Sequence, residues 1–197
     1  YEVAERLMRE RNYFGTMLVE TGQADAMITG YSHAYPKAIR PVLEIIKKEE
    51  GVRRIAAASI MFSKQGPIFL SDATININPT AEELANIALL TAKAVKSFGL
   101  EPSVAMLSYS NFGSAVSESS LKVREAVAYL HKHHPDLVVD GEIQADFALN
   151  PDKIAKNYPF SKLNNGKGAN VLIFPNLEAA NISYKLLKET QHLDTIG

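Results

Sequence analysis

The segment Ser108-Tyr109-Ser110-Asn111-Phe112-Gly113-Ser114 gathers hydroxyl and amide donors around one glycine, a composition suited to cradling the oxygens of a phosphate. Glycine there permits close backbone approach to the anion. The competing reading is that Ser117, Ser119 or Ser120 caps the next helix while the rest is solvated, since serine favours the N-cap. A second candidate group is Ser32, His33 and Arg40, in which the guanidinium can hold an anion through two parallel N–H bonds. Its alternative is a surface salt bridge beside a solvated histidine. Asp140, Glu142 and Asp146 offer oxygens to a hard cation or to acid/base work, although Asp140-Gly141 is also a common turn pair. His131, His133 and His134 precede Pro135 at the end of an expected helix, where cationic side chains suit the helix dipole, and no metal is expected there. Gly166-Lys167-Gly168 is not a phosphate-binding P-loop, because no Ser/Thr follows the lysine and the segment precedes a strand. Neither a G-x-G-x-x-G nor a G-x-S-x-G pattern supports a dinucleotide or hydrolase site.

These residues need elements to place them. Apolar spacing predicts one long or kinked helix over Tyr1 to Thr21, a strand over Ala26 to Thr29 and a helix from Pro36 to Lys48. Arg54 to Phe62 and Pro67 to Ser71 read as a hairpin turning at Lys64 to Gly66. Thr80 and Glu83 form a T-x-x-E capping box for a helix that ends at Gly99. Val104 to Ser108 is a buried strand, and a helix centred on Leu121 to Leu130 follows the serine-rich loop. Leu137 to Val139 and Val171 to Phe174 are further strands, with helices at Ala148 to Lys156 and Glu178 to Leu187. This alternation predicts an α/β fold, a mainly parallel sheet flanked by helices with one antiparallel hairpin. In such sheets ligands collect beyond the carboxyl ends of the strands, which is where the 108–114 loop falls. The charged run Glu49 to Arg53 divides a helical part, residues 1–50, from an α/β part, residues 51–197.

Composition narrows the function classes. Of 197 residues, 46% are hydrophobic and 22% charged, the profile of a globular domain able to build a core without staples. With 21 Lys+Arg against 22 Asp+Glu there is no long-range field to gather nucleic acid or an anionic membrane. The absence of cysteine excludes disulfides, thiolate metal sites and a cysteine nucleophile. No run reaches the roughly 20 apolar residues of a membrane span, and no export signal is visible, so a cytoplasmic location is expected. A start at Tyr1 and a stop at Gly197 after a strand-like stretch suggest a piece of a longer polypeptide.

Taken together, "ADAMITG" followed by "AIRP", "PTAEELANIALLTA", "VAMLSYSNFGSA", "KVREAV", "DGEIQADFAL" and "ANVLIFPNLEAANISYKLL" resemble the phosphate acetyltransferase family along nearly the whole chain. Within it, "RERNYFGTMLVETGQADAMITG", "YSNFG", "ALNP" before "YPFSKL" and "FPNLEAANISYKLL" look like the phosphotransacetylase-like C-terminal domain of large bacterial NADP-dependent malic enzymes. Free-standing transferases more often read "YSTKGS" and "FPDLNxGNxxYK". Here Asn111 and Phe112 take the Thr and Lys places, Asn176 the Asp and Ala180 the Gly, departures that disfavour an active transferase.

The resemblance implies an isocitrate/isopropylmalate dehydrogenase-like two-lobed architecture and a homodimer formed through this domain, within a higher homo-oligomer. It also implies a cleft for acyl-CoA and phosphate in which Arg40 matches a substrate-binding arginine. It places the family's catalytic Ser-Arg-Gly segment and a following Asp beyond Gly197. The expectation is therefore a non-catalytic regulatory domain that binds acetyl-CoA and holds no cofactor itself. NADP and Mg²⁺ or Mn²⁺ would sit in a separate catalytic domain, an oxidoreductase converting malate to pyruvate and CO₂. The alternatives are a phosphate acetyltransferase and a purely structural dimerisation domain.

Overall fold

The computed structural model describes residues 2–30, 34–48, 52 and 54–196, and the chain divides into two compact units, Tyr1–Val52 and Arg53–Gly197. In the first unit, α1 (Glu2–Leu7), α2 (Arg11–Glu20) and α3 (Tyr35–Ile45) are the regular elements among the described residues. The expected single N-terminal helix breaks after Leu7. Arg9 N and Glu10 N bond back three residues, to Arg6 O and Leu7 O, and tighten the last turn until it stops. Pro36 lies in the first turn of α3, where a missing N–H removes no helical bond. Ala26 to Thr29 forms no strand, and Ile28 is fully exposed.

The second unit carries one six-stranded sheet, in the order β4-β3-β5-β2-β1-β6. Its strands are β1 (Ala58–Ser63), β2 (Gly66–Ser71), β3 (Ser103–Leu107), β4 (Val138–Ile143), β5 (Val171–Ile173) and β6 (Thr195–Ile196). β1 and β2 form the antiparallel hairpin, β6 runs antiparallel to β1, and the β2–β5, β5–β3 and β3–β4 pairs are parallel. The helices are α4 (Ala81–Ser97), α5 (Glu118–His133), α6 (Ala145–Ala148), α7 (Pro151–Asn157) and α8 (Leu177–Gln191). α4 starts at a reciprocal cap: Glu83 N donates to Thr80 Oγ1 (3.3 Å), and Thr80 N donates to Glu83 Oε2 (2.9 Å).

Strand residues alternate between two cores, as a period of two requires. Val104, Met106, Val171, Ile173 and Phe69 face α4 and α5, through Leu84, Ala88, Val123 and Val127. Ala105, Leu107, Leu172 and Leu70 face Ala148, Ile154 and Ala180 of α6, α7 and α8. The neighbouring strands β3 and β5 thus send their following helices, α5 and α8, to opposite faces. Such a divergence opens a crevice at the carboxyl edge of a parallel sheet.

The expected isocitrate/isopropylmalate dehydrogenase-like two-lobed architecture needs correction. Every strand among the described residues belongs to the Arg53–Gly197 unit. In the Tyr1–Val52 unit the regular elements are helices, and Ala26 to Thr29 stays irregular because no neighbouring strand satisfies its backbone groups.

Candidate functional site

The loop after β3 is held from below by a buried carboxylate. Glu142, at the end of β4, is fully buried, while its partner Arg124 on α5 is 42% exposed. Arg124 Nη2 donates to Glu142 Oε1 (2.9 Å) and Arg124 Nε to Glu142 Oε2 (3.1 Å), a two-pronged ion pair. Gly113 N and the Ser110 hydroxyl also donate to Oε1, at 2.7 and 3.0 Å. Burial pushes the Glu142 carboxyl up, but the Arg124 guanidinium, its own backbone N–H, Gly113 N–H and Ser110 outweigh it, leaving the carboxyl below its usual range. Phe112 and Gly113 adopt positive φ, 45° and 91°, which turns the chain so that Gly113 N–H reaches the carboxylate. Gly141 lets β4 approach β3 closely: a Cβ there would lie 2.5 Å from Met106 O.

Several proposed phosphate ligands are therefore committed within the loop. Ser110 is fully buried and also accepts from Ala115 N (3.0 Å). Ser114 Oγ accepts from Asn111 N (2.9 Å). Asn111 exchanges hydrogen bonds with Gln144, its Nδ2 donating to Gln144 Oε1 (2.7 Å) and its Oδ1 accepting from Gln144 N (2.8 Å). Ser108 Oγ accepts from Ser110 N (3.2 Å), which leaves the Ser108 O–H to donate at the rim. Ser117 caps α5 by accepting from Ser120 N (3.2 Å), so a cap and a shaped loop coexist.

The segments after β2 and β5 leave the same edge of the sheet, since both strands run parallel to β3. Asp72 accepts from Thr74 N (2.9 Å), Ile75 N (3.0 Å) and Asn76 N (3.1 Å), which folds the chain after β2 into a fixed turn. Leu177 N, at the start of α8, donates to Ile77 O (3.0 Å), and Asn181 Nδ2 donates to Ala73 O (3.0 Å). From α5, Lys122 Nζ completes the junction by donating to Asn78 Oδ1 (2.8 Å) and Pro175 O (3.0 Å). Burial holds the Lys122 ammonium below its usual pKa range, offset in part by the field of Glu118. Lys122, Arg124 and Asp72 were not singled out as site residues by sequence reading. The "KVREAV" motif and the Asp72-to-Asn78 stretch behind a strand were the available signals.

Arg40 belongs to the Tyr1–Val52 unit and is exposed. Its Nε donates to Glu44 Oε1 (2.6 Å), and Tyr13 OH donates to the other carboxylate oxygen. These bonds raise the Arg40 and Tyr13 pKa values, and Tyr13 first, then Arg40, holds Glu44 below its usual range. Arg40 lines a cleft of about 820 Å³ in this unit together with Tyr13, Arg11 and Lys37. Ser32 and His33 lie outside the described residues. The acidic trio is dispersed among separate partners. Asp140 accepts from Ser161 Oγ (2.8 Å) and Lys162 N (2.9 Å), Asp146 pairs with Lys153 (2.7 Å), and Glu142 pairs with Arg124. Among the described residues no three such groups converge as a metal site, and no helix is long and apolar enough to cross a membrane.

The sequence model of the phosphate acetyl/butaryl transferase family matches residues 1–197. A phosphate acetyltransferase of Bacillus subtilis (strain 168) is 41% identical over 197 residues, covering all of this chain and 60% of that protein. An NADP-dependent malic enzyme of Haemophilus influenzae is 39% identical over 196 residues, but these make up only 26% of it. The solved EutD phosphotransacetylase from Staphylococcus aureus superposes with a TM-score of 0.83 at 40% identity, covering 94% of this chain and 57% of that one. The chain thus spans about 60% of the length of the transferases it matches.

These findings overturn the malic-enzyme assignment and what hung on it: an oxidoreductase with NADP and Mg²⁺ or Mn²⁺, and a non-catalytic acetyl-CoA-sensing role for this segment. The proteins matched over most of their length are acyltransferases, and the structural match is to the phosphotransacetylase fold in place of the dehydrogenase-like one. The fold accommodates the departures at 111, 112, 176 and 180. Asn176 Oδ1 caps α8 by accepting from Ala179 N (2.9 Å), as an aspartate would, and Ala180 fits a fully buried position. Phe112 packs its ring 4.8 Å from that of Tyr158, and Asn111 is bonded to Gln144. With the family model matching from end to end and the fold shared at 40% identity, this chain belongs to the phosphate acetyl/butaryl transferase family.

Proposed function

We propose that the protein containing this chain is a phosphate acetyltransferase, moving an acetyl group between acetyl phosphate and coenzyme A. The observation that carries this reading is the 41% identity to a phosphate acetyltransferase across all 197 residues. The CoA thiolate attacks the acyl carbonyl, a C–S bond forms, the C–O bond to phosphate breaks, and inorganic phosphate leaves. Both partners are anions, so the protein's work is to hold negative charge in fixed places and to stabilise charge that develops on the acyl phosphate.

Two features support this assignment. Arg40 lines a cleft with Arg11 and Lys37 and keeps N–H donors beyond the one given to Glu44, as binding of an anionic substrate requires. The crevice edge after β3 offers the Ser108 hydroxyl on a loop made rigid by Ser110, Asn111, Gly113 and Ser114, which thereby act as supports. Self-association as a homodimer is part of the same proposal, checked by light scattering of the full-length protein.

The test is thioester formation by the full-length protein supplied with acetyl phosphate and CoA. Acetyl-CoA accumulation that needs both substrates is expected. A folded protein that makes no thioester from acetyl or butyryl phosphate sinks the proposal.

A further inference from the structure

From the helix that follows β3, Lys122 bonds both the chain after β2 and the chain after β5. Its position is unusual in charge as well as in place. Among the described residues its two hydrogen-bond partners, Asn78 Oδ1 and Pro175 O, are neutral oxygens. Glu118, one turn earlier on α5, acts on it through its field without forming an ion pair. An ammonium group carries three N–H donors, so two neutral acceptors leave one donor and a positive charge that no carboxylate pairs with directly among the described residues. Arg124, two positions along the same helix, shows the alternative outcome, with its charge matched by the Glu142 carboxylate.

A partly buried ammonium whose nearest carboxylate, Glu118, acts only through its field keeps a positive charge that an anionic ligand can match. Two further observations fix where that ligand would sit. Nζ lies at the carboxyl edge of the parallel strands, in the crevice opened by the diverging β3 and β5 connections. The Asp72 turn and the Leu177-to-Ile77 bond hold its two neutral partners in place, so the ammonium group is fixed in position before any ligand arrives.

We propose that Lys122 directly binds a phosphoryl oxygen of the substrate in this crevice, with Asn78 and Pro175 orienting its ammonium group. The choice of the acyl phosphate's phosphoryl group as ligand rests on the transferase reading above. The CoA pyrophosphate presents the same oxygen chemistry, and the test separates the two.

Full-length wild-type protein, Lys122→Met, Lys122→Arg and Asn78→Ala are titrated calorimetrically with inorganic phosphate and, separately, with CoA. Lys122→Met is expected to weaken phosphate binding roughly tenfold to a hundredfold, the loss of one charge-assisted hydrogen bond, with CoA binding unchanged. Lys122→Arg restores part of the phosphate affinity, and Asn78→Ala changes it by less than about threefold, since the charge remains. If Lys122→Met and Asn78→Ala weaken phosphate binding equally, Lys122 is only a strut and the proposal fails. A loss confined to CoA overturns the assignment to the acyl phosphate, and no loss with either ligand overturns the site altogether. Because phosphate binding is read without turnover, a protein that binds phosphate through Lys122 yet makes no thioester refutes the transferase reading and with it the acyl phosphate as ligand, and leaves only the phosphate site at Lys122 standing.

Discussion

Lys122 and Arg124 leave the same helix two positions apart and meet opposite fates. Arg124 is locked to Glu142, and through it to Ser110 and Gly113, so its charge is used to build the loop after β3. Lys122 reaches the segments after β2 and β5 and finds neutral oxygens there. One region of the crevice is thus internally neutralised and rigid, and the other keeps a positive charge that no ion pair compensates among the described residues. The difference teaches that cationic side chains at a sheet edge divide by what already faces them. A matched cation reports on stability, an unmatched one on binding.

The sharpest way to break that comparison is Glu142→Ala. It leaves Arg124 without its counter-charge and leaves the Ser110 and Gly113 donors unsatisfied, so about 3 kcal/mol of unfolding free energy is expected to disappear in urea titrations. A loss below about 1 kcal/mol would show that the buried carboxylate does not anchor the loop. The same group gives a pH signature. Its folded pKa is depressed, so its contribution is present above the ordinary carboxyl range and fades as pH falls through the lower, folded value. Urea midpoints measured across that acid range should fall more steeply for wild type than for Glu142→Gln.

Gly141→Ala tests whether β4 must approach β3 this closely to present Glu142. The added methyl would meet Met106 O at 2.5 Å with φ at +147°, and a cost of about 2 kcal/mol is expected from thermal or urea unfolding. Asn176→Ala removes the α8 cap and should cost about 1 kcal/mol, whereas Asn176→Asp should be nearly neutral; the pair separates capping from chemistry at that position. Smallest of all is the stability change for Lys122→Met, below about 1 kcal/mol. A larger drop in its melting temperature than Asn176→Ala produces would move Lys122 to the structural side of the comparison.

Local signals in the sequence were legible wherever one element sufficed to express them. The Thr80/Glu83 box starts α4 at Ala81, and the Pro67-to-Ser71 stretch pairs with the strand before it. The helix expected over Ala148 to Lys156 resolves into α6 and α7 because Asn150 caps a new start at Pro151. The place of the N-terminal break, within a segment read as one long or kinked helix, and the missing strand at Ala26 to Thr29 went unseen. Neither Gly nor Pro marks the break between Leu7 and Arg11, and a strand depends on a partner that its own residues do not specify.

The amino-acid sequence by itself determined the α/β alternation, the position of the serine-rich loop at a strand's carboxyl end and the kinship to phosphate acetyltransferases. Tertiary structure alone decided which donors of that loop remain open, since Ser110 and Gly113 are claimed by Glu142 from 32 and 29 residues away. It likewise decided that Lys122 meets Asn78 and Pro175, 44 and 53 positions distant. Periodicity and capping act over a few residues and are written locally. Charge neutralisation depends on which side chains the folded sheet brings within hydrogen-bond reach.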